Sequence, residues 1–529
     1  MKNIKLTKNK VFQWHHDAGI YAIGYLFAPN GNLYRDADLC AYFNHIENEN
    51  DFRQKLLSGN GTFSVIIQKE QSLWMAVDRL RYFPLFYRQK KDELLVCDEI
   101  TDLFEPDESK ELDNKGLLEF RALGCVSENR TLLKNAFQIQ AGEYVIWNNN
   151  HLVRSFYHRY FSEIKNIGFD EAKEQLKNIF QNIAKRMTEL VGDRQILLPL
   201  SGGFDSRLIA YLLKKEGLKN VLCLTYGKKE GNPEWKRSQA VAEKLGFQWL
   251  FVDYTQVNDL DYYKQNRFTD YYGYAAQYVG KFSVSQYFAV NFLTDEMKIS
   301  TGDSIHLPGH GGDFISGRHL RHDMQNYRKL TAIAKELSIS NFHIGDLVQL
   351  TRKERKTIKK TILSQLSDIS PLFLNFENWE LKEREAKCVF PFNKLWEHRG
   401  IDSYMPLCDT ELMDFFISLP FNYRLNQKLY KAVLTELFAE YDINFPQDVT
   451  KPTAGMIRQI KNYIKRKFPF LKNRDIFLFN YFDFKRLAQS ILKETEETGE
   501  KRKIRSVNGI FSEWYLLQIK NKLQNEKTD

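Results

Sequence analysis

The chain has 529 residues, of which 43% are hydrophobic and 27% charged, proportions typical of a globular protein with two or three domains. Residues 451–529 hold 18 Lys/Arg against 9 Asp/Glu, which accounts for the whole formal net charge of +9. Because an enzyme acting on nucleic acid is more often basic around its active site, this distribution argues against a nucleic-acid partner.

The first 160 residues are predicted to be rich in β-strands. The segment GIYAIGYLFAPNGNLYR places two apolar runs on either side of Pro29–Asn32, a strong hairpin signal. The stretch 60–99 adds several short strands, and AGEYVIWNNNHLVRSFYH predicts another hairpin near 141–158. The segment DADLCAYFNHI between them has a helical pattern.

The rhythm changes at about residue 168, where FDEAKEQLKNIFQNIAKRMTEL predicts a helix of more than 20 residues. Strands and helices then alternate, which implies a parallel sheet with crossover helices. Residues 320–400 and the segment beyond 470 are predicted to be largely helical, and 494–503 forms a solvated charge run. The alternating elements span 195–200, 206–216, 220–226, 233–245 and 248–252.

The stretch LPLSGGFDSR at 198–207 reads as strand, tight glycine loop and helix. Gly202 and Gly203 allow close backbone approach, and the apolar residues after Ser206 recur at helical spacing up to Gly217, a predicted C-cap. Free amides at the start of such a helix favour an anion. The loop lacks the lysine of a Walker A motif, so hydroxyls and amides are expected to hold phosphate while Asp205 offers a magnesium ligand.

The loop Ser201–Ser206 is similar to the S-G-G-x-D-S loop of ATP pyrophosphatases, and residues 10–455 resemble asparagine synthetase and its relatives, including β-lactam synthetase. LPGHGGDFISG at 307–317 resembles a second family motif, which makes Asp313 a second magnesium ligand beside Asp205. VLCLTYG at 221–227 resembles the strand that holds adenine. The resemblance implies nucleotide contacts from Leu200, Ser201, Gly202, Gly203, Asp205, Ser206, Tyr226 and Gly309.

Three residues are candidates for the chemistry. The resemblance places Lys451, in DVTKPTAG, where the family has a lysine that contacts the reacting phosphate and carbonyl. His310 stands where asparagine synthetase has Glu, and Asp402, in DSYMPLCDTELMDFFISLP, maps to the family's partner carboxylate. A carboxylate beside an imidazole fixes its tautomer and stabilises its charged form. We therefore predict that His310 and Asp402 form a dyad that acts as the general base when an amine attacks. The alternative is that His310 only hydrogen-bonds a phosphate or a loop carbonyl.

The resemblance implies an ATP- and Mg²⁺-dependent ligase that adenylates a carboxylate, releases pyrophosphate and passes the acyl group to ammonia or an amine. The carboxylate is aspartate, another small molecule, or a sugar acid on a glycan precursor. A sulfur-handling enzyme of the same superfamily should carry a cysteine pair near the loop, and the chain has none. A non-catalytic nucleotide-binding relative is a third alternative.

NGTFSVIIQKEQSLWMAVDRLRYFPLFYR at 60–88 looks like the glutaminase domain of the same family. Glutaminases of this kind use an N-terminal cysteine, whereas residue 2 is Lys and the first cysteine, Cys40, reads as a small buried apolar residue. The fold is therefore expected to persist without glutaminase chemistry. The nitrogen would come from free ammonia, a separate protein or an amine-bearing substrate.

Together these patterns predict an α+β, β-rich, glutaminase-like (Ntn-type) domain at 1–160, then an α/β doubly wound ATP-pyrophosphatase domain with a helical C-terminal part at 161–455. A basic helical tail follows at 456–529. Within it, GMIRQIKNYIKRKFPF (455–470) docks onto the protein's own core or makes weak contact with an anionic membrane surface. A homodimer is left open. His15-His16-Asp17 is read as a strand rather than a metal site, and Asp253 as a cap.

No run of about 18 apolar residues occurs, and the N-terminal stretch lacks an apolar core, so neither a membrane span nor a secretory signal is expected. The cysteines are scattered and include no C-x-x-C pair, which argues against a disulfide scaffold and a zinc cluster and fits a reducing cytoplasm. They are Cys40, Cys97, Cys125, Cys223, Cys388 and Cys408.

Overall fold

The computed structural model describes residues 2–7, 11–230, 232, 234–256, 265–341, 350–445, 491, 493 and 507–525. Its first part contains a four-stranded sheet in the order β1-β8-β7-β9 and a seven-stranded sheet in the order β11-β10-β6-β5-β3-β2, with β4 paired to β3. The strands are β1 (Lys2–Lys5), β2 (His15–Asp17), β3 (Ile20–Phe27), β4 (Leu33–Arg35), β5 (Asn60–Gln68), β6 (Ser72–Val77), β7 (Phe86–Lys90), β8 (Glu93–Cys97), β9 (Phe137–Gln138), β10 (Glu143–Asn148) and β11 (His151–Phe156).

The two sheets pack face to face around an apolar layer that includes Ile66, Met75 and Val96. The outer face of the larger sheet is covered by α1 (Asp36–Tyr42) and α2 (Glu49–Ser58), and that of the smaller sheet by α3 (Asn114–Leu123). Both faces of β5 are therefore buried, which is why its sequence reads as a nearly continuous apolar run. Both predicted hairpins form, β3–β4 and β10–β11.

The glutaminase-like motif at 60–88 is used for structure. The Asp78 carboxylate accepts hydrogen bonds from the backbone N–H groups of Phe63, Leu80 and Tyr82 at 3.3, 2.6 and 3.0 Å, which fixes the turn after β6. Arg79 reaches out of this domain and pairs with both oxygens of Asp414 at 2.7 and 2.9 Å. The motif therefore also ties the first domain to the second.

The second part is built on a parallel five-stranded sheet in the order β14-β13-β12-β15-β16. The chain runs outward from β12 through β13 to β14 and then returns to place β15 on the other side of β12. The carboxyl ends of β12 and β15 thus flank the point where the strand order reverses, the usual ligand position in an open α/β sheet. The strands are β12 (Gln195–Pro199), β13 (Val221–Gly227), β14 (Gln248–Asp253), β15 (Ser304–His306) and β16 (Asp402–Ser403).

The predicted alternation of strands and helices around this sheet is confirmed, with boundaries shifted by one or two residues. The helices packed near it are α4 (Phe169–Val191), α5 (Phe204–Lys215), α6 (Glu234–Leu245), α7 (Asn266–Ala276), α8 (Tyr287–Asn291) and α9 (Gly312–Ile315). The helical part that follows comprises α10 (Leu330–Asn341), α11 (Arg352–Ser364), α12 (Leu374–Trp379), α13 (Lys394–His398), α14 (Thr410–Ile417), α15 (Phe421–Arg424) and α16 (Lys428–Ala439), with π-helical turns at Phe292–Glu296 and Glu380–Val389.

One helix from the end of the chain, α17 (Val507–Asn525), packs back onto both parts. Glu513 pairs with Arg121 at the end of α3 at 2.8 Å, while the Trp514 ring meets Tyr272 of α7 edge-on at 5.0 Å. None of the described helices combines the length and the apolar character that crossing a bilayer requires.

Candidate active site

The glycine loop joins β12 to α5 and is closed by its own hydroxyls. Ser201 N–H donates to Ser206 Oγ at 3.0 Å, Gly203 N–H donates to Ser201 Oγ at 3.1 Å, and the two hydroxyl oxygens lie 3.1 Å apart. Both hydroxyls therefore sit at the first turn of a twelve-residue helix, where its free N–H groups point outward. The hydroxyls of Ser201 and Ser206 therefore hold the loop that contains Gly202 and Gly203 in one conformation.

Two arginines bind the backbone of this loop through the Gly202 carbonyl, and neither was predicted from the sequence. Arg207 Nη2 and Arg237 Nη1 donate to the Gly202 carbonyl at 2.7 and 2.8 Å. A Cβ at Gly202 would lie 3.0 Å from Arg237 Cδ, so glycine here leaves room for the arginine. Arg207 directly follows the loop motif and so carried a usable signal, whereas Arg237 lies on α6 with no local pattern around it.

Asp205 and Asp313 meet at the carboxyl ends of β12 and β15. Asp205 accepts a hydrogen bond from Tyr430 Oη at 2.8 Å, and Asp313 accepts one from Gln427 Nε2 at 3.2 Å and pairs with Arg318. Burial and the nearby charge of Asp313 raise the pKa of Asp205 to about 7. Two carboxylates placed this close repel each other unless a cation lies between them or one of them takes up a proton.

Glycines allow the two motif loops to interlock. A Cβ at Gly312 would lie 2.4 Å from Asp205 Cγ, and one at Gly309 would lie 2.9 Å from Ser206 N. Gly311 has a φ of +95°, and a Cβ there would lie 2.6 Å from Cys408 Sγ. Gly309 and Gly312 are therefore required by contact with the first loop, whereas Gly311 leaves room for Cys408.

Two family models match the chain. The model described as asparagine synthase matches residues 177–453, which is more than half of the chain, and the model described as a glutamine amidotransferase domain matches residues 48–161. The chain belongs to the asparagine synthase family. It therefore joins an amidotransferase-like domain to an asparagine synthase domain of the type that uses ATP to form amides.

Solved structures resemble the chain only distantly. An NH3-dependent NAD synthetase from Campylobacter jejuni is 13% identical, with 38% of this chain and 99% of that chain covered and a TM-score of 0.20. A glutamine phosphoribosylpyrophosphate amidotransferase from B. subtilis, complexed with ADP and GMP, is 10% identical, with 69% and 77% covered and a TM-score of 0.19. The family assignment does not depend on either likeness. No curated protein matches the chain.

The asparagine synthase domain offers a set of groups that fits Mg²⁺. Among the described residues there is no cluster of three or more His, Cys, Asp or Glu side chains that could hold a metal alone. Asp205 and Asp313 supply two, and Mg²⁺ is commonly bound by one or two carboxylates together with water and substrate phosphates. The glycine loop lies beside both. Asp205 and Asp313 therefore lie together beside the loop, and their role as Mg²⁺ ligands stays a prediction.

The predicted adenine-binding strand ends next to the loop. Leu200 N–H donates to Leu224 O at 2.8 Å, and the Thr225 hydroxyl donates to Leu200 O at 2.9 Å, so the start of the loop is held on β13. Tyr226 is half-buried at the end of β13, where its ring stacks near Tyr254 with centroids 5.9 Å apart. Leu200 and Tyr226 therefore lie at the same edge of the sheet as the loop.

The structure does not bring His310 and Asp402 together. His310 Nδ1 lies 3.1 Å from Asn393 Oδ1, and desolvation lowers the pKa of the imidazole to about 4. Asp402 pairs with Arg194 at 2.6 Å and is aligned with Ile305 in the β15–β16 register, before the carboxyl end of β15, whereas His310 lies beyond that end. The predicted pair is therefore not formed, and the partner of His310 is an amide.

The remaining predicted positions are easily placed. The Cys40 thiol is buried and faces the carbonyls of His15 and Ile20 at 3.4 and 3.5 Å. His15 and His16 lie on β2, where His16 stacks on Tyr21. Asp253 accepts from Thr255 N–H at 2.9 Å, a local cap as predicted. Lys451, the segment 455–470 and the charge run 494–503 lie outside the described residues.

Proposed function

We propose that this protein uses ATP to adenylate a substrate carboxylate, releasing pyrophosphate, and then transfers the acyl group to ammonia or an amine, releasing AMP. The observation that supports the proposal is the meeting of Asp205 and Asp313 with the glycine loop at the switch point of the sheet. A cation-binding carboxylate pair beside a phosphate-binding loop suits a reaction in which charge builds up on phosphate oxygens.

The adenylation step needs the phosphates held and their charge offset. The loop amides and the hydroxyls of Ser201 and Ser206 would hold phosphate oxygens, and Arg207 and Arg237 add fixed positive charge behind them. Mg²⁺ bound by Asp205 and Asp313 would neutralise charge on the departing pyrophosphate. Lys451 completes this proposal from the family resemblance. Removal of one such preorganised group typically lowers the rate by about 10²–10³.

The second step forms a bond from nitrogen to the acyl carbon, breaks the bond from that carbon to AMP and releases a proton from the nitrogen. A side chain in its unprotonated form must receive that proton. The lowered pKa keeps His310 neutral at pH 7, and Asn393 holds its ring. We therefore assign to His310, without Asp402, the role of accepting the proton that the amine loses.

The nitrogen is proposed to arrive as ammonia or an amine rather than from glutamine hydrolysed by Cys40. Burial raises the pKa of the Cys40 thiol, and a thiol rather than a thiolate is a poor nucleophile. Residue 2, where glutaminases of this kind have their cysteine, is Lys2, which lies on β1 in register with Leu94. The amidotransferase-like domain then serves as a structural and binding partner of the asparagine synthase domain.

The test is an ATP–pyrophosphate exchange assay of the full chain against a panel of small carboxylates, including aspartate and sugar acids. Exchange with one class should identify the acyl substrate, and the products of the complete reaction should be AMP and pyrophosphate. Asp313→Asn should abolish exchange, whereas Asp38→Asn, an exposed carboxylate on α1, should not change it. Formation of ADP and phosphate would contradict the proposal.

A further inference from the structure

A cavity of about 420 Å³ lies where the amidotransferase-like domain, α7 and α17 meet. None of the residues of the glycine loop or of the 307–317 motif lines it. Its volume is in the range of sites that bind small organic molecules. It is therefore a second site, separate from the one that would hold ATP.

Three carboxylates face this cavity: Asp98, Glu99 and Asp270. Asp98 accepts hydrogen bonds from Thr7 N–H and Thr7 Oγ1 at 2.9 and 2.6 Å and from Trp14 Nε1 at 2.8 Å. Within the described part of the chain, neither Asp98 nor Asp270 has a Lys or Arg partner.

Glu99 adds a carboxyl group that forms no salt bridge with the described residues. One of its oxygens accepts a hydrogen bond from Gln277 Nε2. Burial, together with the charges of Asp98 and Asp102, raises the pKa of Glu99 to about 8. This side chain therefore carries a proton or requires a cation, and a cationic ligand in the cavity would supply one.

Of the two lysines in the lining, one is already engaged. Lys394 Nζ donates to Glu397 Oε2 at 2.8 Å and lies 4.2 Å from the centre of the Tyr82 ring. Lys522 lies on α17 close enough to Glu99 to act on its charge. Even with Glu99 protonated, the carboxylates of Asp98 and Asp270 outnumber Lys522, so the lining of the cavity keeps a net negative charge.

The lining also contains six aromatic side chains: Trp14, Phe83, Tyr272, Tyr274, Tyr278 and Tyr515. Aromatic faces attract organic cations through their quadrupole, and carboxylates pair with the ammonium group itself. A neutral or anionic ligand would gain less from the same walls. The combination selects an amine that carries an apolar or aromatic carbon skeleton.

We infer that this cavity binds an organic ammonium ion and, on the proposed function, that this ion is the nitrogen donor of the amide-forming step. One position links the cavity to the site: Lys394 lines the cavity, and the preceding residue, Asn393, bonds to His310. Asn393 and Lys394 therefore connect the imidazole assigned to the second step with the wall of the cavity.

The test compares benzylamine with its neutral counterpart, benzyl alcohol, by calorimetry on the full chain without ATP or carboxylate. Benzylamine should bind at least about tenfold more tightly, because hydrogen bonds to charged groups are the stronger ones. Glu99→Gln and Asp270→Asn should each weaken benzylamine binding by about tenfold or more. Asp38→Asn, which removes an exposed carboxylate elsewhere, should bind benzylamine as the wild type does.

Thermal unfolding without ligand checks that each variant is folded. If Glu99→Gln does not fold, Asp270→Asn still tests the inference, because Asp270 is exposed on α7. Equal binding of the two probes, no binding of benzylamine, or unchanged binding in both variants would overturn the inference. Pyrophosphate exchange separates it from the proposed function. Exchange without amine binding refutes only the cavity, whereas amine binding without exchange refutes only the adenylation chemistry.

Discussion

Replacing Gly312 by Ala tests the placement of the Asp205 carboxylate with a single methyl group. The added Cβ would lie 2.4 Å from Cγ, 2.5 Å from Oδ1 and 2.8 Å from Oδ2 of Asp205, all closer than real contacts allow. The backbone at Gly312 is helical, so alanine introduces no strain of its own there. Because the carboxylate is the atom group that must move, the variant should lose adenylation while keeping its fold.

The expected size follows from these distances. Overpacking of this kind costs about 1–3 kcal/mol of stability, and loss of a preorganised electrostatic group lowers the rate by about 10²–10³. Pyrophosphate exchange and thermal unfolding measure the two effects separately. Gly302→Ala is the matched control, since a Cβ there meets nothing within 4 Å and both quantities should remain at wild-type values.

A double variant identifies the cause of the stability loss. Asp205→Ala removes the atoms that the new methyl group meets, so Gly312→Ala should cost much less stability in that background than alone. Exchange should stay lost in the double variant, because the carboxylate is absent. Exchange within about threefold of wild type in Gly312→Ala alone would refute the placement of Asp205 at the phosphates.

Three further outcomes are expected. Arg237→Gln should lower pyrophosphate exchange by about 10²-fold. Arg237→Lys should restore only part of the exchange, because lysine lacks the planar guanidinium that reaches the Gly202 carbonyl. Equal exchange in both variants and the wild type would contradict this role. His310→Ala should keep exchange but lower amide formation by about 10²–10⁴, whereas Asp402→Asn should leave the ratio of the two rates unchanged; equal loss of both rates in His310→Ala would assign it to ATP binding or to the fold. Cys40→Ala should leave glutamate release from glutamine at the background level of the wild type, and measurable release that disappears in this variant would contradict the assignment of the nitrogen source.

The sheet and its loops were predictable because their signals are local. Strands followed by amphipathic helices specify the parallel sheet, and Asp205 and Asp313 each follow a strand whose carboxyl end lies at the same edge. The prediction that His310 pairs with Asp402 was wrong, because the position of Asp402 depends on where β16 lies along β15. Asp402 is aligned with Ile305, one residue before the end of β15, and no feature of the sequence around it reveals this register. Arg237 was missed for a similar reason, since its partner is a backbone carbonyl that any residue could provide.

The salt bridge between Arg121 and Glu513 joins residues 392 positions apart in the chain. The same helix, α17, supplies Tyr515 and Lys522 to the wall of the cavity that it forms with the amidotransferase-like domain and α7. A contact between residues so far apart in sequence requires that both domains have first supplied the surfaces that it joins. The closing entropy itself is modest, because each doubling of loop length adds only about 0.6 kcal/mol. Occupation of the cavity would therefore report that the chain has finished folding: a ligand bound there recognises the assembled pair of domains and would not recognise either domain alone.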